Sequence, residues 1–167
     1  MKTNKIHKLT IAALLVAVGI LIPMVSPVKL VLEPASFTLA SHVAIFIAMF
    51  ISPMIAIAVA LGTAVGFMLG GFPVIIALRA LTHVVFAGIG SYVLFKKPDI
   101  LQSTVKTQIF SFLIGVVHAF CEVAVVSVFY FGGGMTTAYY AQGFLQSVFL
   151  LVGAGTIIHS MIDFMLA

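Results

Sequence analysis

Residues 39–69 read LASHVAIFIAMFISPMIAIAVALGTAVGFML, and the number of membrane crossings in this stretch decides the fold. A helix needs about 20 residues to cross the hydrocarbon core, so the stretch is long for one span and short for two. Ser52-Pro53 interrupts it, and proline breaks a helix interior while fitting the first turn of a new helix. Charge settles the count. Lys2, Lys5 and Lys8 precede the first apolar run, and Lys96, Lys97 and Lys106 flank a later polar turn. Basic residues favour the cytoplasmic side. The two clusters share a side only if an even number of crossings separates them, which requires two crossings within 39–69. These short spans are then tilted, shielded by neighbours, or less than full crossings.

Outward from that stretch, breakers divide the chain. Pro27 and Pro34 sit in a mixed loop with Lys29 and Glu33, whose charges read as solvated. Gly70-Gly71-Phe72-Pro73, Lys96-Lys97-Pro98-Asp99 and Gly132-Gly133-Gly134 mark three further turns. Of the 167 residues, 63% are hydrophobic and 7% charged, against about 25% charged in soluble domains. The apolar runs are unbroken and lack the alternation of a barrel strand, so helices satisfy the backbone in lipid. The expected fold is all-α: an integral membrane bundle of six transmembrane helices forming one domain over 1–167, in the plasma membrane, with both termini cytoplasmic. The spans are expected at 9–25, 39–51, 54–69, 73–95, 107–131 and 142–166.

The basic start and first apolar run lack a small-residue cleavage site before a polar mature chain, and are expected to be a retained span. The net charge of +4 follows from topology and carries no nucleic-acid signature. Cys121 is the sole cysteine and reads as a small core residue.

Ionisable residues within spans are costly and point to function. Here they fall in pairs four apart: Arg79 with His83, His118 with Glu122, His159 with Asp163. Residues at i and i+4 share a helix face. By helical rise Arg79 lies about 10 Å and Glu122 about 14 Å below the outer ends of their helices. Opposite in charge and matched in depth, they read either as a structural ion pair or as the polar floor of an outward-opening ligand site, and a ligand inserting between them reconciles both. His83 and His118 read as ligand hydrogen-bonders or as satisfied core histidines. His159 and Asp163 lie nearer the cytoplasmic end and are expected to form a pair or interface contact there, outside the pocket. Nearer the mouth stand His42, Tyr139, Tyr140, Gln142 and Gln146. The tyrosines fit equally an aromatic interface belt and a stacking surface for a ring.

Small residues recur at a spacing of four in Ala13/Ala17, Ala40/Ala44/Ala48 and Ala58/Gly62/Gly66/Gly70, which lets helix backbones approach closely in a bilayer. A phosphate-binding loop, zinc-type His/Cys spacing and a G-x-S-x-G nucleophile motif are all missing from the sequence. The chain therefore does not hydrolyse ATP itself. It is small for a self-sufficient transporter, and no inverted repeat is visible.

Three stretches carry a resemblance: LTIAALLVAVGI at 9–20, ASFTLASHVAIFIAMFISP at 35–53 and GFPVIIALRALTH at 71–83. They resemble S components, the substrate-capturing subunits of energy-coupling factor (ECF) vitamin transporters, over nearly the whole chain. The resemblance implies a vitamin bound from outside with no cofactor in this chain. It also implies docking on a membrane-embedded T component through Ala13 and Ala17, and two cytoplasmic ATPase subunits that use ATP to drive toppling and release. It selects Arg79, His83, His118, Glu122, Tyr139, Tyr140 and Gln142 as pocket residues, with His42 at the lip. The stretches look closest to S components for hydroxymethylpyrimidine, with pyridoxine, niacin and pantothenate as alternatives. Glu122 suits a pyrimidine amino group and Arg79 a carboxylate; the lack of Trp departs from thiamine-type members. Readings of another class are a small oligomeric channel and an intramembrane metalloenzyme using His118, Glu122 and His83.

Overall fold

Ser52 is where the decisive stretch divides. In the computed structural model, which describes residues 5–32 and 35–167, its backbone is extended at φ −173° and ψ 156°. Its N–H closes the last turn of helix α2 (Val43–Ile51) on the Ala48 carbonyl. Its hydroxyl accepts from the Ile55 N–H at 3.3 Å, capping helix α3 (Pro53–Leu69). Pro53 occupies the first turn of α3, where a missing donor costs nothing. Lys2, Glu33 and Pro34 lie outside the described residues.

Before this break come α1 (Lys5–Val25) and an antiparallel hairpin, β1 (Lys29–Leu32) and β2 (Ala35–Thr38), which pairs Lys29 with Thr38 and Leu32 with Ala35. The hairpin is the one departure from an all-helical chain among the described residues. After the break come α4 (Val74–Lys96), a 3₁₀ turn (Pro98–Gln102), α5 (Thr104–Phe131) and the short α6 (Thr137–Ala141). The final span winds as a π-helix over Leu145–Ala154 and continues as α7 (Gly155–Leu166). Residues 5–25, 74–96, 104–131 and 145–166 are long and apolar enough to cross a membrane; α3 is shorter. Leu9, Leu14, Val105, Phe120, Phe131 and Met165 are more than half exposed, as suits side chains facing lipid.

Contacts fix the direction of each run. Val16 of α1 meets Gly62 of α3, and Gly19 meets Thr63, so α1 and α3 run parallel. His42 meets His83, and Met49 meets Gly90, so α2 runs along the second half of α4. Arg79 meets Glu122, and Gly90 meets Ile114, so α5 returns antiparallel. Ser160 meets His118 and Phe164 meets Phe110, so the last span reverses again. The runs alternate in direction throughout.

Ala44, Ile45, Phe46, Ala48, Val59, Phe86 and Ala87 form the core at the α2–α3–α4 crossing. Packing is closest where α1 lies on α3: a Cβ on Gly62 would stand 2.7 Å from Cγ2 of Val16. Valine is branched at Cβ and stiff, so it cannot swing aside. Gly62→Ala is expected to lower stability by about 1–3 kcal/mol through overpacking. Gly88→Ala, whose Cβ would meet Ile57 only at 3.8 Å, should be neutral or gain up to about 1 kcal/mol from helix propensity. Thermal unfolding in detergent checks the pair; equal tolerance of both would contradict the close α1–α3 approach.

Candidate functional site

The polar residues of the spans converge on one cavity. Its lining comes from the hairpin and following turn (Phe37, Thr38, Ser41, His42), from α1 and α3 (Pro23, Thr63, Phe67), and from α4 with its entry (Phe72, Ile76, Arg79, Ala80, His83). Glu122 of α5 and Thr156 and His159 of α7 complete it. About 80 Å³ is open to the centre of a water molecule, several times the roughly 10–15 Å³ that one water needs. That space suits a small ring rather than an extended cofactor.

Glu122 anchors one wall. Its Oε2 accepts from Arg79 Nη2 at 2.9 Å and from the Thr156 hydroxyl at 2.6 Å. Its Oε1 faces Nε2 of His83 at 3.6 Å and Nε2 of His118 at 3.5 Å, both long for hydrogen bonds. Glu122 is 4% and Arg79 8% exposed, so neither charge is offset by bulk water and each depends on the other. Arg79 Nε has no partner and is buried. The guanidinium therefore keeps a donor for something besides Glu122.

Asp163 anchors the other wall. It is fully buried and accepts from the Ala40 N–H at 2.7 Å and the His42 N–H at 2.9 Å. His42 Nδ1 lies 3.0 Å and His159 Nε2 3.3 Å from its Oδ2. The Ser41 hydroxyl is 3.0 Å from His159 Nε2. Ala40 has a left-handed backbone (φ 67°), a conformation disfavoured for residues with a Cβ; the carboxylate holds the turn in it.

The sequence-selected residues divide accordingly. Arg79, His83, Glu122 and His42 line the cavity; His118 packs directly behind, its ring centroid 4.8 Å from that of His83. His42 is not at the lip: it is 8% exposed, with ring centroids of His83, His118 and His159 within 5.0 Å. His159, expected outside the pocket, instead lines it, and Asp163 sits behind that lining, bonded to His42. The reason is that the chain after β2 descends into the bundle before α2 begins, bringing His42 to their depth. Tyr139, Tyr140 and Gln142 stand away from the cavity. The Tyr139 hydroxyl donates to the Ser147 carbonyl and that of Tyr140 to the Tyr130 carbonyl, tying α6 to its neighbours, while Gln142 is exposed. Sequence reasoning missed Phe37, Thr63, Phe67, Phe72 and Thr156. Only Thr156 carried a signal, three residues before His159 and seven before Asp163 on one helical face. Ala13 and Ala17 are exposed on the face of α1 turned from the bundle.

A largely helical membrane bundle with a buried, charge-lined cavity has room to hold a small solute. Comparison with known proteins gives the family. The niacin transporter NiaX of Lactococcus lactis subsp. cremoris (strain MG1363) is 49% identical over 166 residues, covering 99% of this chain and 73% of that protein. The chain belongs to the same family, the S components of energy-coupling factor transporters. It is a multi-pass membrane protein of vitamin uptake, and membership in a transporter family removes the metalloenzyme reading. No family profile and no solved structure matches the chain.

Asp163→Ala would strip the Ala40 and His42 N–H groups and the His42 ring of their acceptor. The expected cost is about 3–5 kcal/mol, as for one partner of a buried charged network, read as a lowered melting temperature. A melt indistinguishable from wild type would show that the turn is held by other contacts.

Proposed function

We propose that this chain captures niacin in the cavity and delivers it through an ECF complex. The observation that carries the reading is Arg79, a buried cation on the cavity wall with an unpartnered Nε–H. A ring carboxylate can take the open edge of the guanidinium in charge-assisted hydrogen bonds, while Glu122 keeps the other edge. Phe37, Phe67 and Phe72 supply apolar walls for an aromatic ring. The hydroxyls of Thr63 and Ser41 lie on the same cavity to meet a ring nitrogen. Niacin replaces hydroxymethylpyrimidine as the favoured ligand, for two reasons. The 49% identical relative is named a niacin transporter, and a neutral pyrimidine has no anion to engage Arg79.

Delivery follows the family arrangement. The alternating runs form six crossings, of which α2 with the descending hairpin is the incomplete one. Lys5, Lys8, Lys96, Lys97 and Lys106 gather at one end, which is cytoplasmic by the positive-inside rule, so both termini face the cytoplasm. Ala13 and Ala17, exposed on α1, dock on the membrane-embedded T component. Two ATPase subunits then hydrolyse ATP to drive release inside.

Purified protein in mild detergent tests the ligand. Niacin at a hundredfold over its dissociation constant should stabilise the fold by about 2.7 kcal/mol, or about 5–10 °C in a chain of this size. Nicotinamide, which lacks the carboxylate, should bind at least about 100-fold more weakly, because Arg79 is left without its anion. Equal shifts with both, or a shift with hydroxymethylpyrimidine alone, would overturn the assignment. For coupling, Ala13→Trp is expected to retain the niacin shift while abolishing uptake in cells that express the partner subunits. Undiminished uptake would remove α1 as the docking face.

A further inference from the structure

Three imidazoles meet at one point on the cavity wall, and the vitamin reading gives them no task. His42 sits at the start of α2, His83 on α4 and His118 on α5, and all three are buried. Their ring centroids are 4.7–4.8 Å apart and their planes are crossed at 76–86°, so they do not stack. Each offers one ring nitrogen, and these nitrogens lie within 4.8 Å of one another.

The remaining nitrogens are oriented by groups behind them. His42 Nδ1 faces Asp163 Oδ2 at 3.0 Å, and His118 Nδ1 faces the Ser160 hydroxyl at 3.3 Å. That leaves Nε2 of His42 and of His118 on the other side of each ring. His118 Nε2 and both nitrogens of His83 are buried without a hydrogen-bond partner, a costly condition for polar atoms inside a membrane protein. Carboxylate–imidazole pairs of the Asp163–His42 kind are the usual support behind a metal-ligating histidine. The Oε1 of Glu122, 3.6 and 3.5 Å from Nε2 of His83 and His118, adds an anionic oxygen at the edge of the cluster. Those gaps are long for hydrogen bonds but close to the spacing of two ligands on one ion, about 3.4 Å for bonds of about 2.0–2.1 Å in a tetrahedron.

We infer that His42, His83 and His118 form a binding site for one divalent first-row transition ion of the zinc class. Imidazole ligands select Zn²⁺, Co²⁺, Ni²⁺ or Cu²⁺ over Mg²⁺ and Ca²⁺, which take oxygen. Closing the three nitrogens onto an ion requires movements of no more than about 1.4 Å in their separations. His42 and His83 also line the cavity, so the ion's remaining position faces either Glu122 or the ligand space. This inference does not depend on the niacin reading. The other compatible cluster, His42 with His159 and Asp163, is the less favoured arrangement because the hydroxyl of Ser41 already engages His159 Nε2 and Asp163 already accepts two backbone N–H bonds.

The test uses full-length protein freed of any histidine tag, in detergent, with no vitamin present. Zn²⁺ and Co²⁺ are titrated separately, Mg²⁺ serves as comparison, and bound metal is counted after desalting. The expected result is one equivalent of Zn²⁺ or Co²⁺, the intense visible absorption of four-coordinate Co²⁺, and no retention of Mg²⁺. His83→Asn and His118→Asn, confirmed folded by helical circular dichroism, should each weaken binding by more than about 100-fold, and Asp163→Asn by about 10- to 100-fold as a supporting group. Wild-type protein that is folded yet retains neither ion overturns the inference. So does loss of the ion in His159→Ala with full retention in His83→Asn and His118→Asn. A niacin shift without any metal binding would sink this inference alone, and metal binding without a niacin shift would sink only the vitamin assignment.

Discussion

The structure depends on Asp163 holding the turn that precedes α2. The segment from Ala35 to His42 leaves the end of the bundle and enters its interior, where backbone N–H groups of Ala40 and His42 would otherwise find no water. One carboxylate takes both, together with the His42 ring. Helix α2 is only nine residues long, and the hairpin and this turn precede it. A full-length helix here would fill the space that is the cavity. The cavity thus lies beside an irregular segment held inside the bundle, which lipid tolerates only where protein satisfies the backbone.

The second anchor, Glu122, shows how a bilayer protein keeps charges inside. Arg79 and Thr156 hold one carboxylate oxygen, and two histidines stand near the other. Isolated, each charge would be strongly destabilising; together they are compatible with burial. The arrangement fixes α4, α5 and the last span relative to one another and leaves the Arg79 Nε–H without a partner. Arg79 is thus a buried cation that is held in place yet incompletely satisfied.

Helix α1 contrasts with this rigidity. Only Gly19 and Pro23 of it are buried, and its contact with the bundle runs through Val16, Gly19 and Ile20 onto α3. The opposite face, with Ala13, Leu14, Ala17 and Val18, is exposed. Helix α1 thus packs closely on one side and exposes small residues on the other.

Composition, breakers and charge determined the membrane class and the helices by themselves, because desolvating a backbone in lipid leaves few choices and proline cannot continue a helix. Ser52-Pro53 marked the α2–α3 break for that reason. The i, i+4 pairs also marked Arg79, His83, His118 and Glu122, since helix periodicity is local and an ionisable residue in an apolar run stands out. Only the tertiary structure decided the rest. Nothing local tells that the chain after β2 turns inward, so His42 read as a lip residue and His159 and Asp163 as a separate pair. Tyr139 and Tyr140 read as equally suited to a ligand because their partners, the carbonyls of Ser147 and Tyr130, are backbone atoms with no sequence signature. The gathering of His83, His118 and His159 around His42 is likewise a long-range fact: they lie on different helices, and only packing brings those helices to a common depth.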